Sequence, residues 1–421
     1  MKLSYATSLA ATFIALSVSL QAVDPPSADA VEAPQPRPNI VVIVTDDQEY
    51  FSMPAMRKLL SYPRGSWVNF TNAFAADSLC APSRATMLSG QYPTHHGVIN
   101  NQATGQFDHA NTLPVWLDNA GYRTGIIGKY HLGRGVKDPP PGWDVWNTRH
   151  YPNDIDQHSQ MAVEFIRASD SPFFLWLAYM APHTVAHPPE RYQNTDVYMP
   201  AVRPNVNEAD VSDKPGYIRN RSLLSEETLV NWRNEQRNAQ REILAIDDGV
   251  QAIIDELAAT GQLNNTMVIF ISDNGMSWGS HRKIGKWCPY EECSRIPLLI
   301  RYPGAPGNRN ETRMVSNIDI TATITQYAGV TPTIPQDGRS LLPLLTDSAT
   351  AWRDSVLLER HVNDDYYGIR VPGWKYIESQ SGFKELYDLT NDPYEMQNVA
   401  NRPQHAAIQA NLAQQLQAIK P

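Results

Sequence analysis

Four apolar runs in this chain each stop abruptly at a cluster of polar residues. "NIVVIVTDDQ" ends at Asp46 and Asp47, and "MVIFISDNG" ends at Asp273 and Asn274. "FFLWLAYMAPH" ends at His183, and the shorter "TGIIGKYHLG" ends at Lys129 and His131. Unbroken apolar runs suit strands covered by helices on both faces, because neither face alternates with water. Helical stretches lie between them, the longest from about Ser225 to Gly261. This alternation predicts an α/β fold with a mainly parallel central sheet flanked by helices. Ligands of such sheets bind beyond the carboxyl ends of the strands. All four clusters therefore point to one site, although positions 46 and 274 lie 228 apart.

A chain of 421 residues, 42% of them hydrophobic, suits one large α/β domain plus a smaller part. After Gly329 the pattern changes. "SVLLER", "YYGIRV", "WKYIES" and "KELYDL" predict a small antiparallel sheet, and "HAAIQANLAQQLQAI" a closing helix. The expected division is residues 38–330 for the catalytic domain and 331–421 for a C-terminal subdomain. Residues 1–22 read as a cleaved signal peptide and 23–37 as a proline-rich leader, which predicts a secreted or periplasmic protein. No later segment is long and apolar enough to span a bilayer, so no membrane association is expected once the signal is removed. The net charge of −9 argues against a nucleic-acid partner.

Asp46, Asp47, Asp273 and Asn274 would gather three carboxylates and an amide at one sheet edge. A divalent cation with oxygen ligands, calcium or magnesium, resolves their repulsion. One Asp-Asp pair alone reads as a helix cap; two such pairs closing similar strands favour a metal. Arg84, Lys129, His131, His183 and Lys286 add cationic and titratable groups. With the metal they leave a residual charge of about +2, which suits a sulfate or phosphate.

The chain has three cysteines. Cys288 and Cys293 are close enough to pair, leaving Cys80 as the odd one. Pro82 and Gly90 bracket a short helix with Cys80 at its N-terminus, where a thiolate is favoured. Its spacing to Arg84 is too short for a thiol-phosphatase loop. There is no G-x-S-x-G or H-E-x-x-H, and "SHRKIGKW" lacks the first glycine and the Ser/Thr of a P-loop.

Cys80-Ala81-Pro82-Ser83-Arg84 matches the C-x-P-S-R signature of type I sulfatases, and the chain resembles that family of the alkaline-phosphatase-like superfamily. The likeness continues through "LSGQYPTHHGV", "GKYHLG", "APHTVAHPP", "SDNG" and "GKWCPYEECSRIPLLIRYPG", and covers roughly Pro38 to Ala400. It implies that Cys80 is oxidised to Cα-formylglycine by a formylglycine-generating enzyme, and that its hydrate is the nucleophile. It further implies calcium, rather than magnesium, on Asp46, Asp47, Asp273, Asn274 and modified Cys80. Arg84 and Lys129 would stabilise the hydrate. His183 and Lys286 would bind sulfate oxygens, one of them protonating the leaving group. His131 would help regenerate the aldehyde. The implied reaction is hydrolysis of a sulfate monoester, on a sugar or an aryl alcohol. "GQYPTHHGVINN" is similar to sulfatases acting on 6-O-sulfated N-acetylglucosamine.

Two other functions fit the same residues: a phosphodiesterase or phosphonate monoester hydrolase of this superfamily, and a non-catalytic sulfated-glycan-binding protein with unmodified Cys80. Trp143, Trp146, Trp278 and Trp287 are candidates for a sugar or aryl pocket. His281 is expected to support the site or face substrate, and Asp247 and Asp248 to be structural.

Overall fold

Asn39–Thr45 forms strand β1, buried along its whole length. Its alternate side chains enter two different cores: Ile40, Val42 and Val44 on one face, Val41 and Ile43 on the other. Each such side chain contributes about 1.5–3 kcal/mol by leaving water, so neither face tolerates a polar substitution. This computed structural model describes residues 1, 37–61, 67–133, 139–148, 155–169, 172–305, 307–346, 349–361 and 365–421; the signal peptide and nearly all of the leader lie outside the described residues.

The other strands of the central sheet are β2 (Trp67–Phe70), β3 (Arg123–Gly128), β4 (Val145–Asn147), β5 (Phe173–Ala178), β6 (Thr266–Ser272), β7 (Leu298–Arg301) and β8 (Arg309–Glu311). Their spatial order is β8-β2-β7-β6-β1-β5-β3-β4. β1 pairs in parallel with both β5 and β6, with Val42 opposite Trp176 on one side and Ile269 on the other. Only β7 runs antiparallel, to β6 and β2. The predicted mainly parallel sheet is therefore present, and its four central neighbours are the four runs that end in polar clusters.

Helices α1 (Cys80–Ser89), α2 (Ile155–Arg167), α3 (Glu226–Ala259) and α4 (Asp319–Ala328) cover the sheet. Phe165, Ile166, Ile246, Val250 and Ile253 of α2 and α3 fill the core on one face. Ala81, Ala85, Met87, Ile320 and Ile324 of α1 and α4 fill the other. α3 starts where its sequence says it should: the Ser225 side chain accepts a hydrogen bond from Thr228 N at 3.2 Å, and acidic Glu226 and Glu227 occupy the first turn.

The small antiparallel sheet comprises β9 (Val356–Arg360), β10 (Tyr366–Val371), β11 (Trp374–Ser379) and β12 (Lys384–Asp388), in that order. Leu412 and Leu416 of α5 (Ala406–Ile419) pack on one face with Ile369, Tyr376 and Leu386. The other face meets Phe74, Tyr290, Cys288 and Cys293. Leu341, Leu344 and Leu345, just beyond position 330, still pack into the central core. Among the described residues no helix is long and apolar enough to cross a membrane.

Candidate active site

Beyond β1, Asp46 and Asp47 turn away from the sheet, and Asp47 adopts a left-handed backbone (φ 65°). Beyond β6 come Asp273 and Asn274. The adjacent strands bring these pairs together: Asp47 N donates to Asp273 Oδ1 at 3.2 Å, and Asn274 Nδ2 to Asp47 Oδ1 at 2.6 Å. Ligand atoms of Asp46, Asp47, Cys80 and Asp273 all lie within 4.8 Å of one another, and all four residues are buried. Asn274 Oδ1 is buried without a partner.

α1 delivers Cys80 and Arg84 one turn apart. Its first N–H groups lack partners within the helix, and Ala81 N is met by Asn101 Oδ1 at 3.0 Å. Gly90 closes the helix in the left-handed conformation (φ 72°), where a Cβ would strike Gln336 Oε1 at 1.8 Å. Arg84 Nε and Nη2 grip Asp273 Oδ2 at 2.9 and 2.8 Å, while Nη1 donates to Lys129 O at 2.8 Å. Ser83 Oγ bonds Asp273 O at 2.5 Å and accepts from Asn317 Nδ2 at 2.8 Å.

β3 delivers Lys129, whose Nζ pairs with Asp46 Oδ2, and then His131, in a left-handed conformation (φ 61°). Lys286 follows a short hairpin in which Ser277–Trp278 pairs with Ile284–Gly285. Its Nζ lies 2.6 and 2.8 Å from the Asp47 carboxylate and 2.8 Å from Cys80 Sγ. His183, reached by the loop after β5, places Nε2 3.7 Å from Asp47 Oδ2, with Nδ1 2.5 Å from Thr184 O. The expected metal ligands, Cys80 and the expected cationic and histidine residues thus gather at this one sheet edge.

The charges are mutually dependent. Burial opposes ionisation of Asp46, but Lys129, Arg84 and Lys286 outweigh it and hold this carboxyl well below the usual range. Burial and the Asp46 charge push Asp273 the other way, upward. Three carboxylates are too crowded for the cations present to satisfy them equally. Burial, then Lys129 and Arg84, pull His131 down to about 3, so its imidazole is neutral at physiological pH. Its Nε2 is buried without a partner.

Cys80 corrects one expectation. Burial first, and then Asp46, push its thiol strongly upward. This direction opposes the thiolate expected at a helix N-terminus, and Sγ lies 3.4 Å from Asp46 Oδ1, where a thiol donates. Trp143 and Trp146 also differ from expectation: Trp143 stacks on Phe174 and Trp146 packs against Tyr130, both at the central core. Trp287 lies under the Arg360 guanidinium, 5.3 Å from its ring centre. Trp278 lines a cavity. His281 is buried and held by Glu208, with Nδ1 2.6 Å from Glu208 Oε2, which fits the supporting role. Asp247 is structural as expected, accepting from Lys58 N and Leu59 N at 2.7 and 2.8 Å. Asp248 is structural too, paired with Lys58 and Arg191. Cys288 and Cys293 form a disulfide, with Cα atoms 5.7 Å apart.

Sequence reasoning missed the residues that hold the site in place. Glu235 Oε1 and Glu242 Oε1, on α3, accept from Ala186 N and His187 N at 2.6 and 2.7 Å, fixing the loop that carries His183. The "THHG" histidines also prove supportive: His96 Nε2 lies 3.1 Å from Thr86 Oγ1 beneath α1, and His95 pairs with Asp337.

The sequence profile of the Sulfatase family matches residues 38–330, and that of the N-sulphoglucosamine sulphohydrolase C-terminal region matches 279–421. Human N-acetylglucosamine-6-sulfatase is 29% identical, over 86% of this chain and 81% of that protein. The N-acetylglucosamine-6-O-sulfatase of Bacteroides thetaiotaomicron is 27% identical, over 90% and 86%. A solved structure of a protein in complex with its substrate D-glucosamine-2-N,6-O-disulfate superposes with a TM-score of 0.76 at 25% identity, covering 91% of this chain and 97% of that one. The phosphonate monoester hydrolase of Agrobacterium radiobacter shares the fold, with a TM-score of 0.73 at 23% identity over 91% and 95%.

Proposed function

Since the chain belongs to the sulfatase family and is a sulfuric ester hydrolase, we propose that it removes sulfate from a sugar, 6-O-sulfated N-acetylglucosamine being the first candidate, or from an aryl alcohol. Cys80 is oxidised to Cα-formylglycine by a formylglycine-generating enzyme during export. Asp46, Asp47, Asp273, Asn274 and modified residue 80 would hold calcium. Residues 38–330 carry the chemistry, and 331–421 form the C-terminal subdomain.

One observation carries this reading. Lys286 Nζ stands 2.8 Å from Cys80 Sγ and 2.6 Å from Asp47, beside four potential ligands within 4.8 Å of one another. The donor set fits a hard divalent cation: three buried carboxylates that crowd one another, and the partnerless Asn274 Oδ1. Cys80 Sγ marks the place of the oxygens that the oxidised residue would carry. In the mature enzyme the cation supplies Lewis acidity and the aldehyde hydrate supplies the nucleophile.

The chain's own residues do the rest. Lys286 and His183 flank Asp47 and bind sulfate oxygens. Thr184 O fixes the His183 ring through Nδ1, leaving Nε2 to face the substrate and protonate the departing oxygen. Arg84 and Lys129 hold Asp273 and Asp46 in place. His131, with Nε2 unpartnered, is the proton acceptor of this scheme, its basicity restored when a bound sulfate offsets the Lys129 and Arg84 charges that, after burial, lower it.

The test is the mass of the peptide containing Cys80 together with turnover of 4-nitrophenyl sulfate, 4-nitrophenyl phosphate and a 4-nitrophenyl phosphonate. Formylglycine and a preference for the sulfate are expected. A fully active preparation carrying only unmodified Cys80 overturns the mechanism. A higher catalytic efficiency on the phosphonate overturns the assigned substrate class.

A further inference from the structure

Against the hairpin that leads to Lys286 lies a cavity of about 430 Å³ that the chemistry above does not use. This volume falls in the range of about 300–1,000 Å³ usual for ligand sites. Its walls come from the segment around Pro200, the first half of α3, and Trp278 of the hairpin that leads to Lys286. Two links tie it to the centre. Gln236 Nε2 in its wall donates to Glu49 Oε1 at 3.0 Å, and Glu49 stands two residues after Asp47. Trp278 pairs with Ile284, two residues before Lys286.

The cavity combines two kinds of surface. Val202, Val206, Leu229 and the Trp278 indole supply an apolar face, with the Trp232 ring centre 6.0 Å from that of Trp278. Arg203, Arg233 and Arg237 supply charge. Arg203 is neutralised by Glu49 and Glu292, at 2.9 and 3.3 Å. Arg233 and Arg237 are not: among the described residues neither has an acidic partner within ion-pair distance. Arg233 donates to Gln236 Oε1 at 2.6 Å and Pro200 O at 2.8 Å, and Arg237 to Asn234 Oδ1 at 2.7 Å, all neutral acceptors. The only acidic side chain in the lining is Glu226, which is exposed.

Arg233 and Arg237 are also one helical turn apart on α3, so their like charges repel across the same face. An anion between them relieves that repulsion and is met by forked N–H donors. An aromatic face next to such a pair suits a sugar ring that carries an anionic substituent.

We infer that this cavity is a second subsite, which binds the sugar adjoining the sulfated one, with its own sulfate or carboxylate on Arg233 and Arg237 and its ring against Trp278. This rests on the proposed action on sugar sulfates, and narrows the substrate to a sugar within a polyanionic oligosaccharide.

The probes are 4-nitrophenyl sulfate, which reaches only the catalytic centre, and a heparin-derived tetrasaccharide. Arg233→Gln and Arg237→Gln are compared with the wild type for turnover of both. Tetrasaccharide affinity is measured calorimetrically in a Cys80→Ala background, with and without each change. Both variants are expected to keep 4-nitrophenyl sulfate turnover within about twofold, a built-in check that they fold. Loss of charge-assisted bonds should weaken tetrasaccharide binding about 10- to 100-fold, with a shallower salt dependence, and raise KM rather than lower kcat. An unchanged tetrasaccharide Kd, or equal losses on both substrates, overturns the subsite. A wild type that cleaves neither substrate, while Arg237→Gln still weakens tetrasaccharide binding, overturns the sugar-sulfatase reading and leaves the subsite standing.

Discussion

Glu242→Gln tests whether a buried carboxyl on α3 sets the pH range over which the His183 loop is held. Glu242 is 1% exposed; Oε1 accepts from His187 N, and Oε2 has no partner. Burial, opposed by the His187 N–H, lifts this carboxyl to about 8 from an ordinary value of 4.5. The folded protein therefore holds a proton that the unfolded chain releases. Stability is unpenalised below pH 4.5, falls as pH rises above it, and levels off near pH 8. At about 1.4 kcal/mol per pH unit the total loss is roughly 5 kcal/mol. Glutamine keeps the acceptor for His187 N and cannot ionise, so it removes the loss. The stability difference between variant and wild type should swing by about 4 kcal/mol in the variant's favour from pH 5 to pH 8.5, or roughly 5 °C in Tm for a chain of this size. Parallel urea and thermal unfolding series at the two pH values measure it, and other titrating groups cancel in the comparison. A difference that stays constant with pH refutes the reasoning. So does a swing of the opposite sign.

Asp273→Ala should lose calcium and activity together, read by elemental analysis and 4-nitrophenyl sulfate turnover; active enzyme without a divalent metal would falsify the ligand assignment. Lys286→Ala should lower turnover about 100- to 1,000-fold, as loss of one electrostatic donor does, with phosphate inhibiting the wild type more than phosphate monoesters react. Cys288→Ser with Cys293→Ser should cost about 2 kcal/mol in unfolding free energy through the short loop it opens. Unchanged stability in urea would show that the packing around Tyr290 alone fixes this segment.

The sheet edge was legible because strands buried on both faces cannot hide their ends: an unbroken apolar run must stop where polar chemistry starts. Asp46, Asp273, Lys129 and His183 were found that way. Cys80 and Arg84 were legible through the Pro82–Gly90 bracket and the C-x-P-S-R match. Asn101 and Asn317 were not, since each serves a backbone or side-chain atom brought near only by the fold. Glu235 and Glu242 sit in a helix rich in charge, where a sequence gives no sign that a carboxylate turns inward to a loop some 50 residues earlier. The tryptophans misled for a related reason: an indole beside a strand end packs equally well under the sheet, as Trp143 does on Phe174.

The burial of α1 has a consequence for the order of events during synthesis. All ten of its residues are buried, and Cys80 is 1% exposed. What closes over it comes late in the chain: Asp273 and Lys286 lie about 190 and 206 residues downstream, and Asn317 farther still. Contacts of such long range form slowly and only after the later segments exist. The segment holding Cys80 thus emerges from the ribosome well before its lid can be made. The proposed oxidation has an interval in which the thiol is open to an enzyme, and folding ends that interval. A chain that folds too quickly would seal in an unconverted cysteine, so under the proposed maturation the long range of these contacts would keep the thiol open for longer.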